Sequence, residues 1–346
     1  MGAVSTSPNS GRDAERSAVA AIRDGDEAAF VALAEHYRRR LQLHCYRMVG
    51  SLEDSEDLVQ EAILRAWRRR RSFEGRSTFQ TWLYRIATNV CLDFLERRPV
   101  RELPAHYGLA IEPGSAVPEA SELVWLDPYP ERLLEGIASS QEDDPEAVLA
   151  SKETIELAFL AAIQHLPPRQ RAVLIVRDVL GWSAKETAAA LELSVPSVTS
   201  ALQRARATLR ERLPRQPLEW SVGTAPSSDE RALLERYIEA HERGDVDALA
   251  GLLRDDVRVA VPPLPGAREG REEFRASAMR SAAPGRFRCL PTRANGRPAA
   301  ASYVLRDGAY RPLAIDVLGV EDGLLASITV FLRPELFAAF GLPDSL

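Results

Sequence analysis

Ser197, Thr199, Ser200, Gln203, Arg204, Arg206 and Arg210 sit among Val198, Leu202, Ala205 and Leu209, which recur at three- or four-residue spacing. That spacing makes one apolar stripe along a helix and leaves the polar side chains largely outside it. Short polar groups near a helix N-terminus suit base edges, and guanidinium groups further along suit phosphates. The elements that must position this helix are also legible. Leu166-Pro-Pro-Arg-Gln-Arg171 introduces a first helix. Ser183 with Glu186 fits the reciprocal capping box of a second, and Ser194, with Pro196 in the first turn, opens the third eleven residues later. A helical hairpin with a solvated arginine face has the same local signature, so the reading as a helix-turn-helix needs a second signal.

A second group of chemically capable residues lies upstream. Asp54, Asp57 and Glu61 fall on one face of an amphipathic helix whose other face carries Leu58, Val59, Ala62, Ile63, Ala66 and Trp67. Such a carboxylate stripe either meets a basic partner surface or is simply solvated. Arg68 to Arg71 follow, then a loop from Phe73 to Thr78 and a helical run from Phe79 to Asn89. Basic groups interleaved with Phe73, Phe79, Trp82 and Tyr84 are what single-stranded nucleic acid requires, although Trp82, Leu83 and Ile86 at helical spacing read as core.

The 346-residue chain carries 44 basic and 50 acidic side chains, a net charge of −6 that argues against nucleic acid if taken whole. Divided, it argues the other way. Residues 27–101 hold 14 arginines against 10 acids, and residues 151–215 hold 10 basic groups against 6. Between them, residues 102–150 hold one basic group against 11 acids. Two basic modules are joined by an acidic, Pro- and Glu-rich connector with one ordered-looking island at Leu123 to Ile137. Only Lys152 and Lys185 are lysines, which points to GC-rich codon usage and a bacterial source. Cys45, Cys91 and Cys289 are odd in number and far apart, so neither a disulfide framework nor a metal site is expected, and no cofactor. The N-terminus has no apolar signal core and no run approaches the ~18 residues of a membrane span, so a cytoplasmic protein is expected.

At Asp54 to Trp67, Phe73 to Asn89 and Leu166 to Arg206 the chain resembles regions two and four of the extracytoplasmic-function sigma factors of bacterial RNA polymerase, in the sigma-70 family. Leu43-His-Cys-Tyr-Arg-Met48, Trp125-Leu-Asp-Pro-Tyr-Pro130 and Ser197-Val-Thr-Ser-Ala-Leu202 are similar to the SigG-like subgroup, which has an extra C-terminal SnoaL-like domain. The resemblance implies a non-enzymatic subunit that gives the polymerase promoter recognition and transcription initiation. It assigns Asp54, Asp57, Gln60 and Glu61 to the coiled-coil clamp of the polymerase's largest subunit. It assigns Phe73, Arg76, Ser77, Thr78, Arg85, Asn89, Arg97 and Arg98 to the minus-ten element, where a flipped base is captured. Ser197, Thr199, Ser200, Gln203, Arg204 and Arg206 would read the minus-thirty-five element as duplex. In the family the connector threads toward the polymerase's active-site and RNA-exit channels. A separate anti-sigma factor is neither implied nor excluded.

After residue 228 the pattern changes. Glu230 to Arg243 and Val246 to Leu253 read as helices, followed by strand-like runs at 257–261, 287–292, 300–306, 313–320 and 324–332. Asn295-Gly296, Asp307-Gly308 and Asp322-Gly323 mark hairpin turns. This order resembles SnoaL-like cyclases and the wider nuclear-transport-factor-like cone, which often holds a small apolar ligand. His241, Arg258, Tyr303 and Asp316 are the candidate pocket residues, since an Asp with a Tyr can abstract and stabilise a proton. The alternative function is therefore a SnoaL-like enzyme of cyclase or isomerase type fused to a DNA-binding module. A stand-alone repressor would leave the acidic helix and the Phe73 loop unexplained.

The expected architecture is multidomain, with two all-α modules and a C-terminal α+β cone. Residues 1–26 are read as a flexible N-terminus, 27–100 as region two, 101–150 as the linker, 151–215 as the helix-turn-helix region four, 216–228 as a second linker and 229–346 as the SnoaL-like domain. The cone is expected to act as a regulatory or ligand-sensing domain.

Overall fold

A computed structural model describes residues 17–73, 75, 77–97, 126–134, 157–212, 227–262, 267–279 and 283–346. Contacts divide the chain into two compact units, Met1–Arg98 with Leu166–Leu209, and Pro99–His165 with Arg210–Leu346.

The first unit is helical. Helix α1 (Glu27–Val49) starts at Asp26, whose carboxylate accepts from the Ala29 amide at 2.9 Å, and ends at Gly50 with φ 75°, a left-handed conformation that costs glycine nothing. Helix α2 (Leu52–Arg69) is capped by Ser51, whose hydroxyl accepts from the Asp54 amide at 3.2 Å. Helix α3 (Phe79–Arg97) packs against both. Phe30, Tyr37, Leu41, Ala62, Leu83 and Val90 are buried between them. His44 lies in the same core, 2.8 Å from the Thr88 hydroxyl, which donates its one hydrogen to the Tyr84 carbonyl at 2.7 Å. Thr88 must therefore accept from His44 Nε2–H, which fixes the neutral tautomer. Burial holds the imidazole down to about 3, with the Arg47 charge adding to the effect.

Helix α4 (Leu157–Gln164) is grouped with the second unit. In the first, α5 (Pro168–Leu174) runs into a π-turn at Ile175–Val179. Helices α6 (Ala184–Leu191) and α7 (Val195–Arg212) complete it. Both halves of the Ser183 and Glu186 capping box form, at 3.2 and 2.8 Å. Ser194 accepts from the Ser197 amide at 3.2 Å, the expected cap of α7.

In the second unit, α8 (Ser228–Arg243) and α9 (Val246–Gly251) precede β1 (Leu253–Ala260). The strands β2 (Ala267–Glu269), β3 (Phe287–Ala294), β4 (Arg297–Arg306), β5 (Ala309–Glu321) and β6 (Leu324–Phe331) follow, with α10 (Arg271–Ala278) between β2 and β3 and α11 (Phe337–Phe340) after β6. The sheet order is β2-β1-β6-β5-β4-β3, with β1 and β6 parallel and every other pair antiparallel. Helix α8 lies across β3 and β4. All three Asx-Gly pairs take positive φ at both positions: Asn295 54° and Gly296 75°, Asp307 50° and Gly308 78°, Asp322 51° and Gly323 74°. That geometry matches the right-handed twist of the strands they join. The sequence pattern did not reveal β2 or α10, and β1 begins four residues before its expected start because its first half carries the polar run Arg254-Asp-Asp.

Strand β3 is a sheet edge, and residues 126–134 of the connector pair with its C-terminal end. Within the expected island, Leu126, Asp127, Tyr129 and Leu134 are buried, and Pro130 makes an antiparallel bridge to Ala294. Residues 123–125 and 135–137 of that island lie outside the described residues.

Candidate nucleic-acid interface

On α7, Val198, Leu202, Ala205 and Leu209 are buried while Ser197, Thr199, Ser200, Gln203 and Arg204 are exposed. The helix thus presents the polar face expected to read a major groove. Arg206 differs. Its guanidinium grips the Asp178 carboxylate with two bonds, Nε at 2.9 Å and Nη2 at 2.7 Å, tying α7 to the π-turn. In this structure the fork therefore rests on Asp178, although the side chain is 51% exposed.

On α2, Asp57 and Gln60 are exposed and Asp54 is half-buried. Glu61 is held by Arg65 at 2.6 Å, and Arg65 reaches on to Asp93 at 2.6 Å. One residue of this face escaped the sequence reading. Leu64 follows Asp57 and Gln60 at helical spacing and is 49% exposed, an apolar spot within a polar stripe. Its only sequence signal is that it stands outside the apolar ladder.

Around the loop after α2, Ser77 and Thr78 are exposed. The Thr78 hydroxyl also accepts from the Thr81 amide at 3.1 Å, starting α3. Phe73 corrects its expectation. The ring is 6% exposed, packed 5.2 Å from Trp82 and 6.0 Å from Phe79, so it anchors the loop rather than facing DNA. Arg85 and Arg97 are exposed and Asn89 is half-buried on α3, while Arg76 and Arg98 lie outside the described residues.

The two basic modules touch within the first unit. Arg171, buried on α5, donates to the Met48 carbonyl at the end of α1 and, at 3.1 Å, to the Leu166 carbonyl. Arg169 lies 3.9 Å from Glu96, and Arg85 lies 3.8 Å from Glu192, all four side chains being exposed. Glu192, at φ 55°, is the left-handed cap that ends α6. A residue expected to touch the minus-ten strand thus faces the turn of the helix-turn-helix.

In the second unit the four candidate pocket residues do not converge. Asp316 on β5 is buried and accepts from the Ser302 hydroxyl at 3.0 Å and the Tyr237 hydroxyl at 3.2 Å. His241 Nδ1 sits 4.0 Å from it and 3.8 Å from the Cys289 sulfur. Burial raises the Asp316 carboxyl above its usual range against the pull of His241, Ser302 and Tyr237. Burial and then the Asp316 charge raise the Tyr237 hydroxyl, and burial pushes the Cys289 thiol up to about 12. Tyr303, one residue beyond Ser302, leaves the opposite face of the sheet. It packs 5.0 Å from Phe337 and donates to the Pro343 carbonyl at 2.9 Å. Arg258 is exposed and paired with Glu269 at 3.2 Å. An Asp316 and Tyr303 proton-transfer pair is therefore absent. The interior cluster is Tyr237, His241, Cys289, Ser302 and Asp316, three of which only the fold could bring together.

The connector is bound to this domain by paired polar groups. Asp127 accepts from Arg333 Nη1 at 2.5 Å with both side chains buried. Asn295, in the β3–β4 turn, accepts from the Tyr129 amide at 2.8 Å and returns its own amide to the Tyr129 carbonyl at 2.9 Å. Glu131 accepts from the Gly296 amide at 3.0 Å, and Arg132 donates to the Ala338 and Ala339 carbonyls that end α11. Among the described residues no cluster of His, Cys, Asp and Glu is placed to hold a metal ion, and no helix is long and apolar enough to cross a membrane.

Comparison with known proteins matches Sigma-70 region 2 to residues 33–99, Sigma-70, region 4 to residues 156–209 and a SnoaL-like domain to residues 234–328. The chain is 41% identical over 342 residues to the ECF RNA polymerase sigma factor SigG of Mycobacterium tuberculosis, covering 98% of this chain and 88% of that one. It is 29% identical over 192 residues to the ECF RNA polymerase sigma factor SigW of Bacillus subtilis, covering 56% of this chain and 92% of the relative. The crystal structure of Mycobacterium tuberculosis extracytoplasmic function sigma factor SigJ superposes with a TM-score of 0.54 at 22% identity, covering 91% of this chain and 99% of that one, a likeness of fold.

Proposed function

The chain belongs to the ECF RNA polymerase sigma factors of the sigma-70 family, and from that premise we infer how its parts divide the work of starting transcription. It is a promoter-recognition subunit of bacterial RNA polymerase and not an enzyme. Residues 27–100 act as the core-binding and melting module, 151–215 as the upstream reader, 101–150 and 216–228 as linkers and 229–346 as the regulatory domain, all in the cytoplasm. Asp57 and Gln60, with Leu64 one turn beyond them, dock on the clamp helices of the largest subunit, and Asp54 and Glu61 flank them. Ser77, Thr78, Arg85, Asn89 and Arg97 contact the opened minus-ten strand. Ser197, Thr199, Ser200, Gln203 and Arg204 read the minus-thirty-five duplex, and Arg206 holds the reading helix in place.

The C-terminal domain regulates by holding the connector. The carrying observation is the grip of Arg333 and Asn295 on Asp127 and Tyr129, since that segment joins the two promoter-reading modules. While it is held, the connector is withheld from the path it takes through the polymerase. Run-off transcription with core polymerase tests this. Full-length Arg333→Ala is expected to initiate several-fold more than wild type. Equal or lower initiation by a folded variant overturns the reading.

A further inference from the structure

A cleft of about 340 Å³ lies where the connector meets the C-terminal domain, and no role above uses it. Pro130, Leu234, Pro291 and Phe340 give it an apolar lining. Four charged residues also line it, and two are already engaged: Glu131 by the Gly296 amide, Arg132 by the carbonyls at the end of α11. The other two are not. Arg231, exposed on α8, makes no ion pair among the described residues. Arg293 on β3 gives Nη2 to the Gly296 carbonyl at 3.2 Å, while its Nη1 is shut off from solvent without an acceptor among the described residues. A buried guanidinium nitrogen with no partner is costly, and the residue that carries it lines the cleft. Apolar walls with a few uncompensated donors are the pattern of a small-molecule site, and 340 Å³ is at the small end of that range.

We propose that this cleft binds a small monocarboxylate with an apolar body, its carboxylate between Arg231 and Arg293 and its body against Pro130, Leu234 and Phe340. Because Pro130 to Arg132 form one wall, the bound ligand tightens the hold on the connector. That consequence rests on the regulatory reading above; the site itself does not.

The test uses the full-length protein with octanoate as probe and octanamide, the same body without the charge, as control. Calorimetry is expected to show octanoate binding at least tenfold more tightly than octanamide. Arg231→Gln, an exposed change, is expected to weaken octanoate several-fold, and Arg293→Gln at least tenfold. Hydrogen exchange of Leu126 to Leu134 is expected to slow with octanoate. Equal binding of the two probes, or octanoate binding unchanged in Arg231→Gln, overturns the site. Binding that leaves exchange of the connector unchanged overturns the tightening. Should Arg333→Ala fail to raise transcription while octanoate binding still depends on Arg231, the regulatory reading falls and the site stands.

Discussion

The contact between the two basic modules and the contact between connector and C-terminal domain both join segments distant in sequence, yet they use different chemistry. Where α5 meets α1, one buried guanidinium, Arg171, caps carbonyls, and two further ties between the modules are exposed ion pairs at 3.8 and 3.9 Å. Exposed pairs of that kind contribute about 0 to 1 kcal/mol. Where the connector meets β3, a buried ion pair, a two-way bond through Asn295 and a strand bridge act together. The described ties of the first seam are mostly exposed; those of the second are mostly buried.

The largest effect should come from breaking the second seam. Asp127→Ala leaves the Arg333 guanidinium buried and without its buried counter-charge, the pair to Glu335 being kept. Removing one partner of a buried pair costs about 3 to 5 kcal/mol. Limited proteolysis should then cut near residues 126–134 far faster, with the helical unit still resistant. If the cut rate is unchanged, the second seam is no stronger than the first.

At the first seam, Arg171→Ala removes charge-assisted bonds that include those to the Met48 and Leu166 carbonyls, an expected loss of at least about 2 to 3 kcal/mol. Denaturant unfolding of the helical unit reads it. Arg171→Lys, which keeps the charge but not the fork, should recover only part.

The two units should also answer acid oppositely. His44 is held neutral, down to about 3, so its contribution is present above the unfolded value near 6.5 and is lost as pH falls below it. Between pH 7 and pH 5 the helical unit should lose about 2 kcal/mol, and His44→Gln should abolish most of that slope. Asp316 is shifted upward, so its contribution is full below the unfolded value near 3.9 and declines as pH rises through the folded one. Trp67, Trp82 and Trp182 report the helical unit by fluorescence once Trp125 and Trp220, the two tryptophans of the second unit, are replaced by Phe.

What could be read from the sequence was whatever is decided within a few residues. The Ser183 and Glu186 box, the Val198 to Leu209 stripe and the three Asx-Gly turns all form because their partners are three or four positions away or because φ is set locally. Phe73 and Tyr303 could not be placed from sequence, since an aromatic ring beside basic or polar residues suits either a core or a binding face, and only Trp82 and Phe337 decide it. Tyr129 is ordered by Asn295, 166 residues away, and no local pattern announces such a pairing. Arg206 looked free for the same reason: Asp178 lies 28 residues upstream.

The smallest expected change separates contact from consequence at the first seam. Glu192 sits 3.8 Å from Arg85, with the glutamate side chain 80% exposed, so Glu192→Asn should alter the stability of the helical unit by no more than about 0.5 kcal/mol. Asparagine tolerates the left-handed cap at φ 55°, which keeps α6 terminated as before. Arg85, by contrast, is proposed to touch the opened strand. If so, Arg85→Ala should reduce open-complex formation by an order of magnitude in permanganate footprinting, while Glu192→Asn leaves it at or slightly above the wild-type level. Equal losses in the two variants would mean that the pair matters as a structural tie, and that the first seam is held by more than Arg171.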